Sequence, residues 1–277
     1  VVDLEVNVNI AAVEMNINPI QQYKVININD KIIGYFLYDS FTAKDSIELR
    51  GVIESFKTDG ITDMILDLRY NPGGYVSTCA DLASMIAPAS ALDDIFLTQQ
   101  WNDAFTQYFT YYYGSNSEYF KSYFPVPKVN LNLSKLVVIT SGRTASASEA
   151  LINGLKPYMQ VAIVGDTTVG KYTGATLLYD ESSAVNKWGV YLIINKIGNA
   201  DGVTDFVNGF APDYLVEDDY TTPLGDENEP LLAKALEVIT GIPVKSTPVS
   251  FSNKPFSLFY EHWFERDGMM ISNRIKR

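Results

Sequence analysis

Two residues of this chain, Ser146 and Lys171, are of types that can carry out nucleophilic catalysis together. A serine hydroxyl attacks a carbonyl only when a base takes its proton, and histidine usually supplies that base. The single histidine, His262, lies near the C-terminus and is interpreted as an ordinary half-buried or surface residue. A lysine can replace histidine when burial keeps its amine neutral. The pair therefore predicts a serine hydrolase with a lysine base.

Ser146 lies in the segment Thr144–Glu149 (TASASE), which is typical of a turn between a strand and a helix. The first N–H groups of a helix are unpaired and its N-terminus is partially positive, so the Ala147 N–H can stabilise an oxyanion. The alternative is that Ser146 only caps the helix, with Glu149 completing a capping box. Because that pattern is common, the segment alone is weak support for catalysis.

A glycine-rich loop, Asp67–Gly74 (DLRYNPGG), follows an apolar strand-like run. Its two glycines expose backbone N–H groups and favour the second half of an oxyanion hole, although an ordinary turn is the alternative. The loop contains neither phosphate-binding glycine pattern, and the chain has no G-x-S-x-G motif, which argues against an α/β-hydrolase. Lys171 closes the segment Thr167–Lys171, at the end of another strand-like run.

The elements around these segments alternate between strand and helix patterns, which indicates an α/β fold. One helix carries an apolar stripe made of Ile47, Leu49, Val52, Ile53 and Phe56. The patterns predict strands over 31–38, 64–68, 136–140, 161–164 and 188–196, and helices over 43–58, 77–86, 146–156 and 230–239.

Residues 101–124 break this alternation, because they are dense in Tyr and Phe and follow no single period. The favoured interpretation is a helical insertion that packs its aromatic side chains on the core, and the alternative is a cap over a substrate groove. Residues 1–10 alternate as a strand does, and residues 242–277 are interpreted as a C-terminal extension.

Composition excludes several classes of function. The chain has 277 residues, 47% of them hydrophobic and 19% charged, which is typical of a globular protein. A formal net charge of −12 argues against nucleic acid or anionic lipid as the main partner, and no apolar run is long enough to span a bilayer. One Cys and one His leave almost no transition-metal or zinc site, so we expect neither metal nor cofactor. The acidic run Glu217–Asp219 is interpreted as solvated rather than cation-binding.

Taken together, these segments resemble the motifs of the C-terminal processing (tail-specific) peptidases. Asp67–Gly74, Thr144–Glu149 and Thr168–Lys171 occur in that family's order, and the 25 positions between Ser146 and Lys171 match its spacing. Gly209–Asp213 is similar to its later G-x-x-P-D element, so the resemblance covers roughly residues 30–240. It implies a crotonase-like core of repeated ββα units.

The resemblance also implies roles for individual residues. Ser146 is the expected nucleophile, Lys171 the general base and Glu149 a supporting residue near the lysine. The implied activity is a serine endopeptidase that cleaves proteins or peptides near their C-termini through an acyl-enzyme. The implied oxyanion hole uses backbone N–H groups of Ala147 and of one of Gly73 and Gly74.

Two features depart from the family pattern. Many members carry, four residues after the lysine, a glutamine that orients it, and this position is Ala175 here. Members also usually carry a PDZ domain before the core. We therefore expect residues 1–10 to be the last strand of a truncated PDZ-like domain, residues 11–241 to form the catalytic domain, and residues 242–277 to be the extension. The general style resembles Bacteroides-type exported members, which implies a periplasmic or cell-envelope location.

Two other functions stay open at this point. The first is a catalytically inactive relative that binds peptides or acts as an envelope scaffold, which Ala175 and the missing PDZ domain favour. The second is a crotonase-type acyl-CoA enzyme, for which the sequence offers no convincing basic cluster to bind the CoA phosphates. The oligomeric state is not predicted.

Overall fold

The structure, a computed structural model, describes residues 18–42, 46–182, 185–186 and 188–244. Its strands are β1 (Ile20–Ile28), β2 (Lys31–Tyr38), β3 (Asp63–Asp67), β4 (Ile95–Trp101), β5 (Lys121–Tyr123), β6 (Lys135–Thr140), β7 (Gln160–Gly165), β8 (Thr173–Tyr179), β9 (Gly189–Gly198) and β10 (Tyr214–Leu215). Its helices are α1 (Ser46–Asp59), α2 (Val76–Ile86), α3 (Asp103–Tyr113), α4 (Ala147–Leu155) and α5 (Pro230–Thr240).

The larger sheet has six strands in the order β1-β2-β3-β6-β7-β10, parallel except for the antiparallel β1–β2 pair. Successive residues of a strand point to opposite faces, so each buried strand contributes side chains to two hydrophobic cores, one on each face of the sheet. Leu66 and Val138 pack with helices α1, α2 and α4 on one face. Ile65 and Val137 pack with α5 on the other. The predicted α/β class is confirmed.

Most predicted elements are confirmed to within a residue. The strand over 31–38 is β2, and the helices over 77–86, 146–156 and 230–239 are α2, α4 and α5. Ile47 is an error in the predicted stripe of α1, because its side chain is 69% exposed while the other four members are buried. Two residues of helix turn by about 200°, which places Ile47 opposite Leu49.

The smaller sheet is antiparallel in the order β5-β4-β9-β8. Helix α3 follows β4, and Asn102 caps it by accepting from Phe105 N at 2.9 Å. Within α3 only Phe109 is buried, stacked on Tyr119. The prediction that the aromatic side chains pack on the core is therefore wrong for the tyrosines of α3. These tyrosines are largely exposed, because only a narrow stripe of the helix is buried. They are Tyr108, Tyr111, Tyr112 and Tyr113.

Several predictions fall on residues that the structure does not describe. Residues 1–10, His262 and almost all of the expected extension over 242–277 lie outside the described ranges. The expected domain boundaries and the crotonase-like relationship stay predictions, although β1, β2 and α1 do follow one another in ββα order. Within the described ranges, helices are too short or too polar to cross a membrane.

The parallel strands bring three loops to one edge of the larger sheet. These loops follow the carboxyl ends of β3, β6 and β7, and such ends meet at the same edge. Thr144 Oγ1 donates to Leu68 O at 2.7 Å, and Val169 N donates to Thr144 O at 3.0 Å. The glycine loop, the serine turn and the segment that carries Lys171 are thus tied together by hydrogen bonds.

A buried cation anchors the start of the glycine loop. Arg69 is fully buried and forms ion pairs with Asp67 at 2.8 Å, Glu229 at 2.9 Å and Asp218 at 3.1 Å. Glu229 also caps α5, since it accepts from the N–H groups of two residues in its first turn. The prediction that the acidic run is solvated is therefore wrong for Asp218, which pairs with Arg69. It is also wrong for Asp219, which is buried and accepts hydrogen bonds within its own turn.

We expect Arg69→Ala to lower the free energy of unfolding by about 3–5 kcal/mol, because it leaves Asp67 and Glu229 buried without a cation. Urea unfolding followed by circular dichroism measures this change. The control is Arg50→Ala, which removes a partly exposed pair with Glu54 at 3.8 Å and should cost about 0.5 kcal/mol or less. Equal effects of the two substitutions would contradict a central role for the buried cluster.

Candidate active site

Ser146 occupies a strained turn at the start of helix α4. Its backbone has φ 63° and ψ −115°, on the side of conformational space that residues with a Cβ rarely adopt. Ser146 is the N-cap residue, and the helix proper begins at Ala147. Strain of this kind persists only when the surroundings enforce it, and it clusters at functional sites.

The hydroxyl of Ser146 and the amine of Lys171 are both buried and unpartnered. Within the described ranges, the only other buried side-chain polar atom without a hydrogen bond is Asn195 Oδ1. Buried polar groups are normally paired, because an unmade hydrogen bond costs free energy. The two groups predicted to do chemistry are thus uncommitted, and neither donates to the other.

Glu149 joins the serine turn to the lysine segment. Its Oε2 accepts from Ser146 N and from Lys171 N, each at 2.8 Å. Its Oε1 accepts from Thr168 Oγ1 and from Gly170 N, each at 2.6 Å. Because one oxygen binds the amides of both Ser146 and Lys171, the two backbones lie side by side. Glu149 is therefore both the N3 residue of α4, with its side chain turned back to the N-cap amide of Ser146, and the expected neighbour of the lysine.

The electrostatics of Lys171 follow from two opposing effects. Burial lowers the pKa of Lys171 to about 8, and the neighbouring Glu149 carboxylate opposes this by raising it. Burial also raises the pKa of Glu149, while hydrogen bonds from Thr168, Gly170, Ser146 and Lys171 lower it. Since burial dominates at the lysine, a substantial fraction of the amine is neutral near pH 8.

The structure corrects the position of Lys171 in the chain. It does not end a strand, because β7 stops at Gly165 and Lys171 lies in the loop before β8. Gly165 has φ +123°, and a Cβ there would lie 2.1 Å from Thr140 O. This close approach is open only to glycine and turns the chain out of the sheet.

Gly73 lies directly against the serine turn. Its φ is +105°, and a Cβ there would lie 2.6 Å from Ser146 Cβ and 2.8 Å from Ala147 N. The neighbouring Gly74 is equally tight, since its Cβ would lie 2.2 Å from Phe41 O. The two glycines therefore allow the loop to pass between the end of β2 and the serine turn.

Asn71 is a positioning residue that the sequence argument did not single out. Its carbonyl accepts from Ala145 N and from Ser148 Oγ, both at 3.1 Å. Its side chain accepts from Gly73 N at 2.9 Å and donates to Tyr38 O at 3.0 Å. Its place in the glycine loop was the available signal, but a sequence pattern does not reveal which side-chain atom fixes which backbone.

The remaining expected residues lie as follows. Ala147 N is the first N–H of α4, and such groups have no acceptor inside the helix. Ala175 is buried in β8 opposite Ile193, and its methyl group offers no side-chain hydrogen bond to a lysine. Cys79 Sγ donates to Ala147 O at 3.1 Å from beneath the turn. Within the described part of the chain, no three His, Cys, Asp or Glu residues are grouped to hold a metal ion.

Comparisons with known proteins place the chain in a family. The sequence profile of Peptidase family S41 matches residues 32–216. The carboxy-terminal processing protease CtpA of Bacillus subtilis is 29% identical over 191 residues, which are 69% of this chain and 36% of that protein. A carboxyl-terminal-processing protease of Synechocystis is 29% identical over 139 residues, which are 50% of this chain and 28% of that protein.

A solved structure is also similar. A crystal structure assigned to the S41 proteases, from Bacteroides fragilis, superposes with a TM-score of 0.72 at 27% identity. The match covers 82% of this chain and 59% of that one. The chain thus spans about a third of the two curated relatives and somewhat over half of the solved one.

We expect Gly73→Ala to lower the free energy of unfolding by about 2–4 kcal/mol, because the added Cβ strains a positive φ and collides with Ser146. Thermal and urea unfolding measure the loss. The matched control is Gly142→Ala, where the added Cβ meets open space, so the change should stay within about 1 kcal/mol. An unaffected Gly73→Ala protein would contradict the close packing of the two loops.

Proposed function

Because this chain belongs to Peptidase family S41, we propose that it is a serine endopeptidase in which Ser146 is the nucleophile and Lys171 the general base. One observation carries the assignment. A buried, unpartnered hydroxyl and a buried, unpartnered amine lie on two loops that share the carboxylate of Glu149. Cleavage near protein C-termini and a cell-envelope location are part of the proposal by likeness to the family.

The proposed reaction uses the lysine twice. Neutral Lys171 takes the proton of Ser146 Oγ, which attacks the carbonyl carbon of a peptide bond. The leaving nitrogen receives that proton from Lys171 as the C–N bond breaks, and the acyl group stays on Ser146 as an ester. A water molecule then attacks the ester and gives a proton to Lys171, which returns it to Ser146 as the acid leaves.

The tetrahedral oxyanion needs preorganised donors. Ala147 N–H is one, because it is the first N–H of α4 and lies at the positive end of the helix dipole. The second is assigned to Gly73 or Gly74. Gly73 N–H already donates to Asn71 Oδ1, so it serves only if that bond is shared or opened, whereas Gly74 follows it in the same loop.

Burial of the pair has a catalytic use. Both Ser146 Oγ and Lys171 Nζ are enclosed, and this enclosure is the dominant cause of the lowered lysine pKa. A substrate must therefore displace the groups that cover Ser146 Oγ and Lys171 Nζ while keeping water away from the amine. The Glu149 carboxylate orients Lys171 by accepting from the backbone N–H of the lysine. The lysine side chain is therefore free to turn toward Ser146.

An inactive peptide-binding relative is the second candidate. Two observations favour it: Ser146 and Lys171 make no hydrogen bond to each other, and Ala175 has no side-chain acceptor for the lysine. The intact hydroxyl, amine and glycine loop favour turnover instead. The acyl-CoA alternative is not retained, because the matched family is one of peptidases.

We expect Ser146→Ala and Lys171→Ala each to lower casein hydrolysis by a factor on the order of 10³ or more, since each removes a group that acts in the bond-breaking step. Initial rates measured with fluorescently labelled casein give the result. The matched controls are Ser84→Ala in α2 and Lys234→Ala in α5, which lie outside the candidate site and should retain the parent rate. A parent that binds casein but never cleaves it would support the inactive relative.

The pH dependence of the rate tests the base. Protonated Lys171 cannot accept a proton, so the casein rate should fall as pH falls through its pKa of about 8. Because the Glu149 carboxylate raises that pKa, Glu149→Gln should move the midpoint to lower pH. Its maximal rate should also fall, since an amide offers one acceptor oxygen where the carboxylate used two.

This profile is measured as initial rates across the acidic, neutral and alkaline range, with circular dichroism at each pH to confirm that the protein stays folded. The Glu237→Gln variant, which changes a half-buried carboxylate of α5 paired with Lys234, is the control and should keep the parent midpoint. A rate that stays flat into strongly acid solution would rule out the lysine base.

A further inference from the structure

The hydroxyl of Thr168 lies between Glu149 and a loop that the mechanism has not used so far. Thr168 Oγ1 donates to Glu149 Oε1 at 2.6 Å and accepts from Phe210 N at 2.8 Å. A hydroxyl has one proton to donate, so these two bonds form a chain with one direction, from the Phe210 N–H through the hydroxyl to the carboxylate. Thr168 is buried, so bulk water does not compete for either bond.

The loop over residues 206–210 packs on the backbone that leads to Lys171. Thr168 N donates to Phe210 O at 3.2 Å, in addition to the bond that its hydroxyl accepts. Gly209 has φ +79°, and a Cβ there would collide with Thr168 O. Gly170 has φ +88°, and a Cβ there would collide with Val207 O. We call residues 206–210 the strap, because they lie against the lysine segment at both of these positions.

Among the donors to Glu149, the Thr168 hydroxyl does most to keep the carboxylate ionised. Burial raises the pKa of Glu149, and the hydrogen bond from Thr168 is the largest effect that lowers it. The other three bonds come from backbone N–H groups. An ionised carboxylate accepts at both oxygens, whereas protonation turns one oxygen into a donor. Losing the hydroxyl therefore weakens the form of Glu149 that holds the serine turn and the lysine segment together.

We propose that Thr168 is a positioning residue, whose hydroxyl lets the strap hold the Glu149 carboxylate ionised and oriented between Ser146 and Lys171. The proposal deepens the peptidase function and rests on it for its kinetic consequence. Thr168 acts through Glu149 and needs no contact with the substrate. Its loss should therefore lower kcat and leave KM unchanged, which is the pattern of an interaction that matters in the transition state.

A purely steric role for Thr168 makes the opposite prediction. Valine has nearly the shape of threonine and lacks the hydroxyl, whereas serine keeps the hydroxyl and lacks the methyl group. If Thr168 only filled space under the strap, Thr168→Val would be the mild substitution and Thr168→Ser the harmful one. If the hydroxyl positions Glu149, the order is reversed.

The first test is kinetic and uses fluorescently labelled casein. We expect Thr168→Val to lower kcat about tenfold or more with KM within about twofold of the parent, because it removes a hydrogen bond to a buried charge. Thr168→Ser should keep kcat within about threefold, since its hydroxyl can make both bonds. The control is Thr98→Val in β4, which removes a hydroxyl bond to Asn199 O at 3.1 Å outside the site and should keep the parent kcat.

The second test does not need activity. The carboxyl carbon of Glu149 is followed by ¹³C NMR across pH, with the signal assigned by its absence in Glu149→Gln. Thr168→Val should move the Glu149 midpoint to higher pH, because the hydrogen bond that most lowers the pKa of Glu149 is gone. Thr168→Ser should keep the parent midpoint.

Lys171 is the titratable group that faces Glu149, since the charges of the two influence each other. The same titration in a Lys171→Ala background therefore separates the effect of the lysine charge from that of the hydroxyl. The shift caused by Thr168→Val should persist there. Thermal unfolding checks each variant, and Thr168→Ala takes the place of Thr168→Val if the valine variant does not fold.

Three results would overturn the role of Thr168. They are a parent kcat in Thr168→Val, a loss of kcat that Thr168→Ser shares, or a Glu149 midpoint that does not move when the hydroxyl is removed. The last result would reduce Thr168 to a tether of the strap. A parent that cleaves no casein defeats the peptidase proposal alone, because the NMR titration still decides whether the hydroxyl acts on Glu149.

Discussion

The candidate site depends on one buried carboxylate. Glu149 accepts four hydrogen bonds, two to each oxygen, from the serine turn and from the segment that ends at Lys171. A carboxylate buried without donors would be costly, and these bonds offset that cost. The same charge disfavours the neutral lysine that the proposed mechanism requires. The site is therefore a compromise in which burial must outweigh the attraction of a carboxylate that also holds the two loops together.

The scaffold supplies what a single carboxylate cannot. Parallel strands deliver three loops to one edge, and Asn71 fixes the glycine loop against the serine turn through both its carbonyl and its side chain. Further back, Arg69 links this loop to helix α5 through Glu229, on the opposite face of the sheet from α4. The strained backbone of Ser146 is thus held from several directions, none of which touches its hydroxyl.

Sequence patterns predicted the parallel core well, because a strand that is buried on both faces reads as a continuous apolar run. The helices between these strands carry capping and helix-breaking residues that mark their ends. They predicted Ser146, Lys171, Glu149 and the glycines of the site through motif order. They placed Lys171 wrongly at the end of a strand, since the turn at Gly165 depends on a close contact with Thr140 that no local pattern encodes. Arg69 and Asn71 were missed for the same reason, because they bind partners that are distant in sequence. The tyrosines of α3 were misjudged because only a narrow stripe of that helix is buried.

The enclosure of Ser146 Oγ and Lys171 Nζ bears on self-protection. A protease that works in the company of other proteins needs a resting state that spares them. If Ser146 and Lys171 act as proposed, latency arises from packing: the resting nucleophile meets no stray backbone, and its base loses its lowered pKa as soon as water is admitted. On the proposed mechanism, an encounter that opens the site without filling it would reprotonate the lysine, so only a chain that replaces the excluded solvent would be cut.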